Sequence, residues 1–110
     1  MPKKQRQRKP KPTTPEDKLL QVLAHPLRRQ LLRLYVQENG MLSPKELADF
    51  TKKHVSNVGY HVRVLLDYEA VEIVAEQQRR GSVEHFYEAT SLVDEVPWGR
   101  AALGLGGDPA

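Results

Sequence analysis

The chain has 110 residues, 39% of them hydrophobic and 28% charged, which fits one soluble globular domain with a single modest core. It contains no cysteine, which excludes disulfides and thiolate metal sites, and no apolar run approaches the ~18 residues of a membrane span. The net charge of +3 belongs to one end: residues 1–12 carry six Lys/Arg and no acid, while the rest holds eleven against fourteen acids.

Residues 1–15 read as a disordered basic arm, with Pro2, Pro10, Pro12 and Pro15 among like charges. Such an arm either solubilises the chain or holds nucleic-acid phosphates. No apolar signal-peptide core follows it, so the expected location is cytoplasmic. The folded domain is expected over residues 16–90, with a partly disordered segment over 91–110.

A first helix is predicted from Glu16 to Ala24, with Leu19, Leu20 and Leu23 on one face. His25-Pro26 interrupts it, because proline disfavours a helical residue before it. Pro26 opens a second helix lined by Leu27, Leu31, Leu34 and Tyr35, and Asn39-Gly40 ends it, the glycine suiting a left-handed cap. Met41-Leu42 is a short extended piece. Ser43-Pro44-Lys45-Glu46 then carries a capping box, and a third helix follows with Leu47, Ala48 and Phe50 inward.

Thr51 to His54 make a polar turn. A fourth helix spans Val55 to Asp67, with Val55, Val58, Val62 and Leu65 as one buried stripe. The period then changes from 3.6 to 2. Val71, Ile73 and Ala75 alternate with Glu72, Val74 and Glu76, residues 77–82 form a polar turn, and Val83, His85, Tyr87 and Ala89 alternate again. That is a β-hairpin. The order α1-α2-β-α3-α4-β-wing-β is that of a winged helix-turn-helix, a mainly α fold with a small hairpin. Trp98 and Leu103 are candidates for packing back on the body, and Gly104, Gly106 and Gly107 suggest a frayed end.

The outer face of the fourth helix carries Ser56, Asn57, Gly59, Tyr60 and Arg63. An α-helix fits the B-DNA major groove, and these groups suit base edges and phosphates there. Asn57 pairs with adenine, Arg63 with guanine or phosphate, and Tyr60 with a phosphate or a thymine methyl; Ser56 donates or accepts. Gly59 lowers helix stability by roughly 1 kcal/mol relative to alanine but clears space for a close approach. Lys45, Lys52 and Lys53 are phosphate candidates, and Arg79 and Arg80 suit a wing lying on the backbone or in a minor groove. The plainer reading is a solvated helix face and a hairpin edge blunted by arginine.

His54, His61 and His85 show no close metal-ligand spacing, and His61 reads as packed or hydrogen-bonded within the fold. There is no glycine-rich phosphate loop and no nucleophile–base set. No metal, cofactor or enzymatic activity is expected.

Residues Leu23 to Leu32 (LAHPLRRQLL), Ser43 to Ala48 (SPKELA), Ser56 to Leu65 (SNVGYHVRVL) and Arg79 to Tyr87 (RRGSVEHFY) together resemble the ArsR-like winged-helix regulators, in an actinobacterial-type branch. The resemblance covers about residues 16–90. It implies a transcriptional regulator, usually a repressor, that binds double-stranded DNA as a homodimer and associates with the nucleoid. It places base contacts at Ser56, Asn57, Tyr60 and Arg63 and the wing at Arg79 and Arg80. The family's metal-sensing ligands are absent, so metal sensing is not carried over. Lys52 and Lys53 replace the usual glycine and apolar residue of the turn, and Glu69 replaces the usual glycine after the fourth helix. No long dimerisation helix follows Thr90, which leaves pairing to the first helix and the segment around Trp98. Two other classes remain: a winged-helix module that binds protein, and a nonspecific nucleic-acid binder led by the arm.

Overall fold

A computed structural model describes residues 12–106; most of the expected basic arm lies outside that range. Four helices come first: α1 (Pro15–Leu23), α2 (Pro26–Glu38), α3 (Pro44–Thr51) and α4 (Val55–Asp67). Strands β1 (Val71–Arg79) and β2 (Ser82–Ala89) form an antiparallel hairpin. A 3-10 turn (Val93–Glu95) and the short helix α5 (Gly99–Ala102) close the chain. Four helices followed by a hairpin make this a winged helix-turn-helix fold.

Local chemistry sets each helix start. Thr14 caps α1 by accepting the Asp17 N–H at 3.2 Å, with Pro15 in the first turn. His25 caps α2 through Nδ1, which accepts the Leu27 N–H at 3.1 Å. The expected capping box opens α3: Ser43 Oγ accepts the Glu46 N–H at 3.2 Å, and Glu46 Oε1 accepts the Ser43 N–H at 2.9 Å. The end of α1 is filled from the next helix. Arg28 donates to the carbonyls of Val22 (3.2 Å) and Gln21 (2.9 Å), and Arg29 donates to that of Leu23 (2.6 Å). These lie among the last carbonyls of α1, which lack i+4 partners within the helix.

Two helices end on a left-handed residue that is not glycine, and a third is followed by one. Asn39 (φ 52°), rather than Gly40, ends α2; Lys52 (φ 60°) ends α3; Glu69 (φ 63°) follows α4. Glu69 is held from three sides. Its N–H reaches the Leu66 carbonyl at 2.9 Å, its carbonyl accepts Thr90 Oγ1 at 2.6 Å, and its carboxylate pairs with Lys18.

The core joins Leu19 and Val22 of α1, Leu31, Leu32 and Tyr35 of α2, Leu47 of α3, and Val58, Val62 and Leu65 of α4. The Tyr35 hydroxyl donates to the Leu42 carbonyl at 3.0 Å, and burial pushes its pKa far up. Leu42 exchanges backbone hydrogen bonds with Tyr87 at 2.9 and 3.0 Å, which makes it a one-residue third strand.

Three residues expected inside stand outside: Leu20 is 52% exposed, Phe50 66% and Val55 46%. On α1 the inward positions are Leu19 and Val22, and Leu20 turns away from them. The inward stripe of α3 runs through Leu47, Ala48 and Thr51, and at about 100° per residue Phe50 projects beyond its edge. Val55 sits in the first turn of α4, beyond the reach of the core. In the hairpin, Ile73 pairs with Tyr87 and Ala75 with Phe86, so Val74 is a bulge residue. The strict alternation fails there: Phe86 and Tyr87 are both buried, and Ile73 and Val74 are both exposed.

The segment after β2 joins the core through Leu92, Val93, Val96 and Leu103, whereas Trp98 is exposed. Gly99 makes this packing possible, because a Cβ there would lie 2.2 Å from the Val93 carbonyl oxygen.

Candidate nucleic-acid interface

The turn between α3 and α4 is short. The Lys52 and Lys53 N–H groups both reach the Ala48 carbonyl, Lys53 at 3.2 Å. His54 then caps α4: its Nδ1 accepts the Ser56 N–H at 3.1 Å. Both lysines are exposed on the turn. A left-handed backbone costs an L-residue about 1 kcal/mol, so the turn keeps its shape at Lys52 against local preference.

One face of α4 packs into the core through Val58, His61, Val62 and Leu65. The other presents Ser56, Asn57, Tyr60 and Arg63 to solvent, Tyr60 being 59% exposed. Gly59 is half-buried, and a Cβ there would meet nothing within 4 Å among the described residues. The fold itself therefore does not require glycine there.

His61 is 6% exposed. Its ring lies 4.3 Å from that of His25 and meets Tyr60 edge-on at 5.0 Å, and its Nδ1 has no hydrogen-bond partner among the described residues. Burial lowers its pKa below 6.5, helped by His25 and Arg28. The ring is packed, and its surroundings favour the neutral form. Among the described residues no cluster of three or more His, Cys, Asp or Glu is placed to hold a metal.

The exposed face of α4 opens onto a groove of about 530 Å³. Pro44 and Lys45 of α3 form one wall, Gly59 and Arg63 another, and Val83 and His85 of β2 a third. A second hollow of about 630 Å³ lies between Lys45, Glu46 and Asp49 of α3 and Arg79, Ser82 and Phe86 of the hairpin. Residues 23–74 match the family model described as a helix-turn-helix domain. That stretch is therefore similar to helix-turn-helix domains. The match runs from the end of α1 into β1, so it covers both helices of the motif and the turn between them. No curated protein matches the chain. No helix among the described residues is long and apolar enough to cross a membrane.

The wing is fastened to the helix-turn-helix by Glu84. Its Oε2 accepts the Ser43 hydroxyl at 2.6 Å, and its Oε1 accepts Arg79 Nε at 2.8 Å. The Ser43 bond, then Arg79, hold its carboxyl below the usual carboxylate range. Ser43 thus caps α3 and anchors β2 at once. Arg79 also donates to Gln77 at 3.1 Å, so its guanidinium is occupied within the hairpin. The strands run to Arg79 and from Ser82, which shortens the expected turn over 77–82 to Arg80-Gly81, with Gly81 at φ 79°. Arg80 stands at that tip without an ion pair among the described residues.

Of the residues singled out from the sequence, the groove gathers Lys45, Gly59 and Arg63. Ser56, Asn57 and Tyr60 share the exposed face of α4, Lys52 and Lys53 stand on the turn, and Arg80 is at the wing tip. Sequence reasoning missed Glu84 and His54. Glu84 lies 41 positions from Ser43, and no local pattern announces that contact. His54 had a signal, since it directly precedes the first residue of α4.

Proposed function

We propose that the chain is a sequence-specific double-stranded DNA-binding regulator of transcription, acting as a repressor of the ArsR-like kind. The observation that supports this best is the polar face of α4. It carries Ser56, Asn57, Tyr60 and Arg63 to solvent and opens onto the groove shared with Lys45 and the wing. In this reading α4 lies in the major groove, with Asn57 and Arg63 at base edges. Lys45, Lys52 and Lys53 hold phosphates, and Arg80, with Arg79, follows the backbone or enters the minor groove. The basic residues of the first fifteen add sequence-independent affinity. Pairing into a homodimer on a partly palindromic operator belongs to the same proposal, with exposed Leu20 on α1 and exposed Trp98 as apolar surface for it. The site of action is the nucleoid of the cytoplasm.

Selection of bound duplexes from a random pool tests this. An enriched sequence is expected, and Asn57→Ala and Arg63→Ala are each expected to weaken binding to it by roughly 1–3 kcal/mol. Unchanged affinity in both variants would sink the assignment of α4. A pool with no enriched sequence would favour a protein-binding or nonspecific role.

A further inference from the structure

Ser56 does not stand alone on the exposed face of α4. His54 Nδ1 accepts the Ser56 backbone N–H at 3.1 Å and lies 2.8 Å from Ser56 Oγ. A ring nitrogen that accepts a backbone N–H carries no proton of its own, so the ring proton sits on Nε2. The 2.8 Å contact then has one polarity: the serine hydroxyl donates and Nδ1 accepts. A hydroxyl has a single proton. With that proton engaged, Ser56 Oγ turns only lone pairs outward.

We infer that His54 is a positioning residue that makes Ser56 an acceptor-only reader, confining its base to one with an exocyclic amine in the major groove. Those bases are adenine, through N6, and cytosine, through N4; guanine N7 and O6 and thymine O4 are themselves acceptors. A serine with a free hydroxyl discriminates poorly, because it rotates to donate or to accept. His54 removes that freedom without touching the base. The inference rests on the major-groove placement of α4 proposed above.

The test compares duplexes selected by the full chain and by its Ser56→Ala, His54→Ala and His54→Asp variants. The unaltered chain should yield one position confined to adenine or cytosine, and Ser56→Ala should release that position. His54→Ala should release the same position, its discrimination falling by about tenfold, the worth of one hydrogen bond. The carboxylate that His54→Asp introduces would still cap α4 and accept both Ser56 donors. That variant should therefore keep the adenine/cytosine restriction while its negative charge weakens binding to every duplex. A purely structural cap predicts something else: His54→Ala would weaken all duplexes alike and leave the base preference intact, which overturns the inference. Loss of the restriction in His54→Asp overturns it too, as does a Ser56-sensitive position that favours guanine or thymine. A pool with no enriched sequence for the unaltered chain overturns the DNA reading itself, and this inference with it.

Discussion

Gly59→Ala separates what the fold needs from what a ligand needs. Glycine in a helix interior costs about 1 kcal/mol relative to alanine, through backbone entropy. Position 59 is the fifth residue of a 13-residue helix, well inside it. The added methyl meets no atom of the described residues within 4 Å, so no clash with them offsets the gain. The variant should gain roughly 0.5–1 kcal/mol, which in a domain of this size raises the melting temperature by about 2–8 °C. Affinity should move the other way. Position 59 lines the groove between α4 and the wing, where a DNA strand passes in the proposed orientation, and a methyl there keeps the strand from close approach. Thermal unfolding followed by circular dichroism and fluorescence anisotropy with a selected duplex read the two effects separately. A variant that is more stable and binds as tightly as the parent would refute the close approach at Gly59. A less stable variant would refute the open space.

Lys52→Gly relieves a left-handed backbone, so the urea midpoint should rise by the equivalent of about 0.5–1 kcal/mol, the unfolded chain's extra freedom cancelling part of the relief. An unchanged or lower midpoint would show that the Lys52 side chain holds the turn. His61 makes stability pH-dependent. Its folded pKa is depressed below 6.5, so as pH falls through that value the unfolded chain takes up a proton that the folded one refuses. Stability due to this group is complete well above 6.5 and declines as pH falls below it. His61→Gln should flatten that decline in urea titrations run at several pH values, and an equally steep decline in the variant would assign it to other groups. Glu84 and Glu69, whose pKa values are also lowered, act in a separate window below about 4.5.

What could be read from the sequence was whatever local chemistry determines. The Ser43–Glu46 capping box, the span of α4 and the start of a strand at Val71 each depend on residues within a few positions of one another, and each stands as read. The misplacements arise where tertiary packing chooses among local options. Phe50 is apolar and helical, but α3 is short enough that Leu47, Ala48 and Thr51 fill its inward stripe. The bulge at Val74 shifts the hairpin's faces, and neither glycine nor proline marks it. The packing of residues 91–105 depends on Gly99 against Val93, which looks in sequence like an ordinary flexible glycine. Glu69 keeps a left-handed turn without glycine because tertiary partners hold it, Lys18 at its carboxylate and Thr90 at its carbonyl. In the candidate interface the residue types were legible and their couplings were not. Glu84 to Ser43, Glu84 to Arg79 and His54 to Ser56 decide which polar groups on these elements are left free.

That coupling gives the two wing arginines different weights, although they are neighbours in sequence. Arg80 is unpaired at the tip among the described residues, so a phosphate it meets adds a full counterion-release contribution. Arg79 must first leave Glu84 and Gln77, and Glu84 stays behind as a negative charge beside the same strand. Glu84→Gln removes that restraint while leaving an amide oxygen to accept the Ser43 hydroxyl, so the wing remains fastened to α3. In the proposed complex this variant should bind duplex more tightly at low salt. Its log K against log salt line should steepen by about one unit, the signature of one added phosphate contact. Arg80→Ala should make the same line shallower by a similar amount. Equal slopes for Glu84→Gln and the unaltered chain would mean that Arg79 either engages phosphate despite its carboxylate partner or never reaches the strand. Arg79→Ala in the Glu84→Gln background decides between these: a shallower slope assigns an engaged Arg79, and no change assigns one beyond reach.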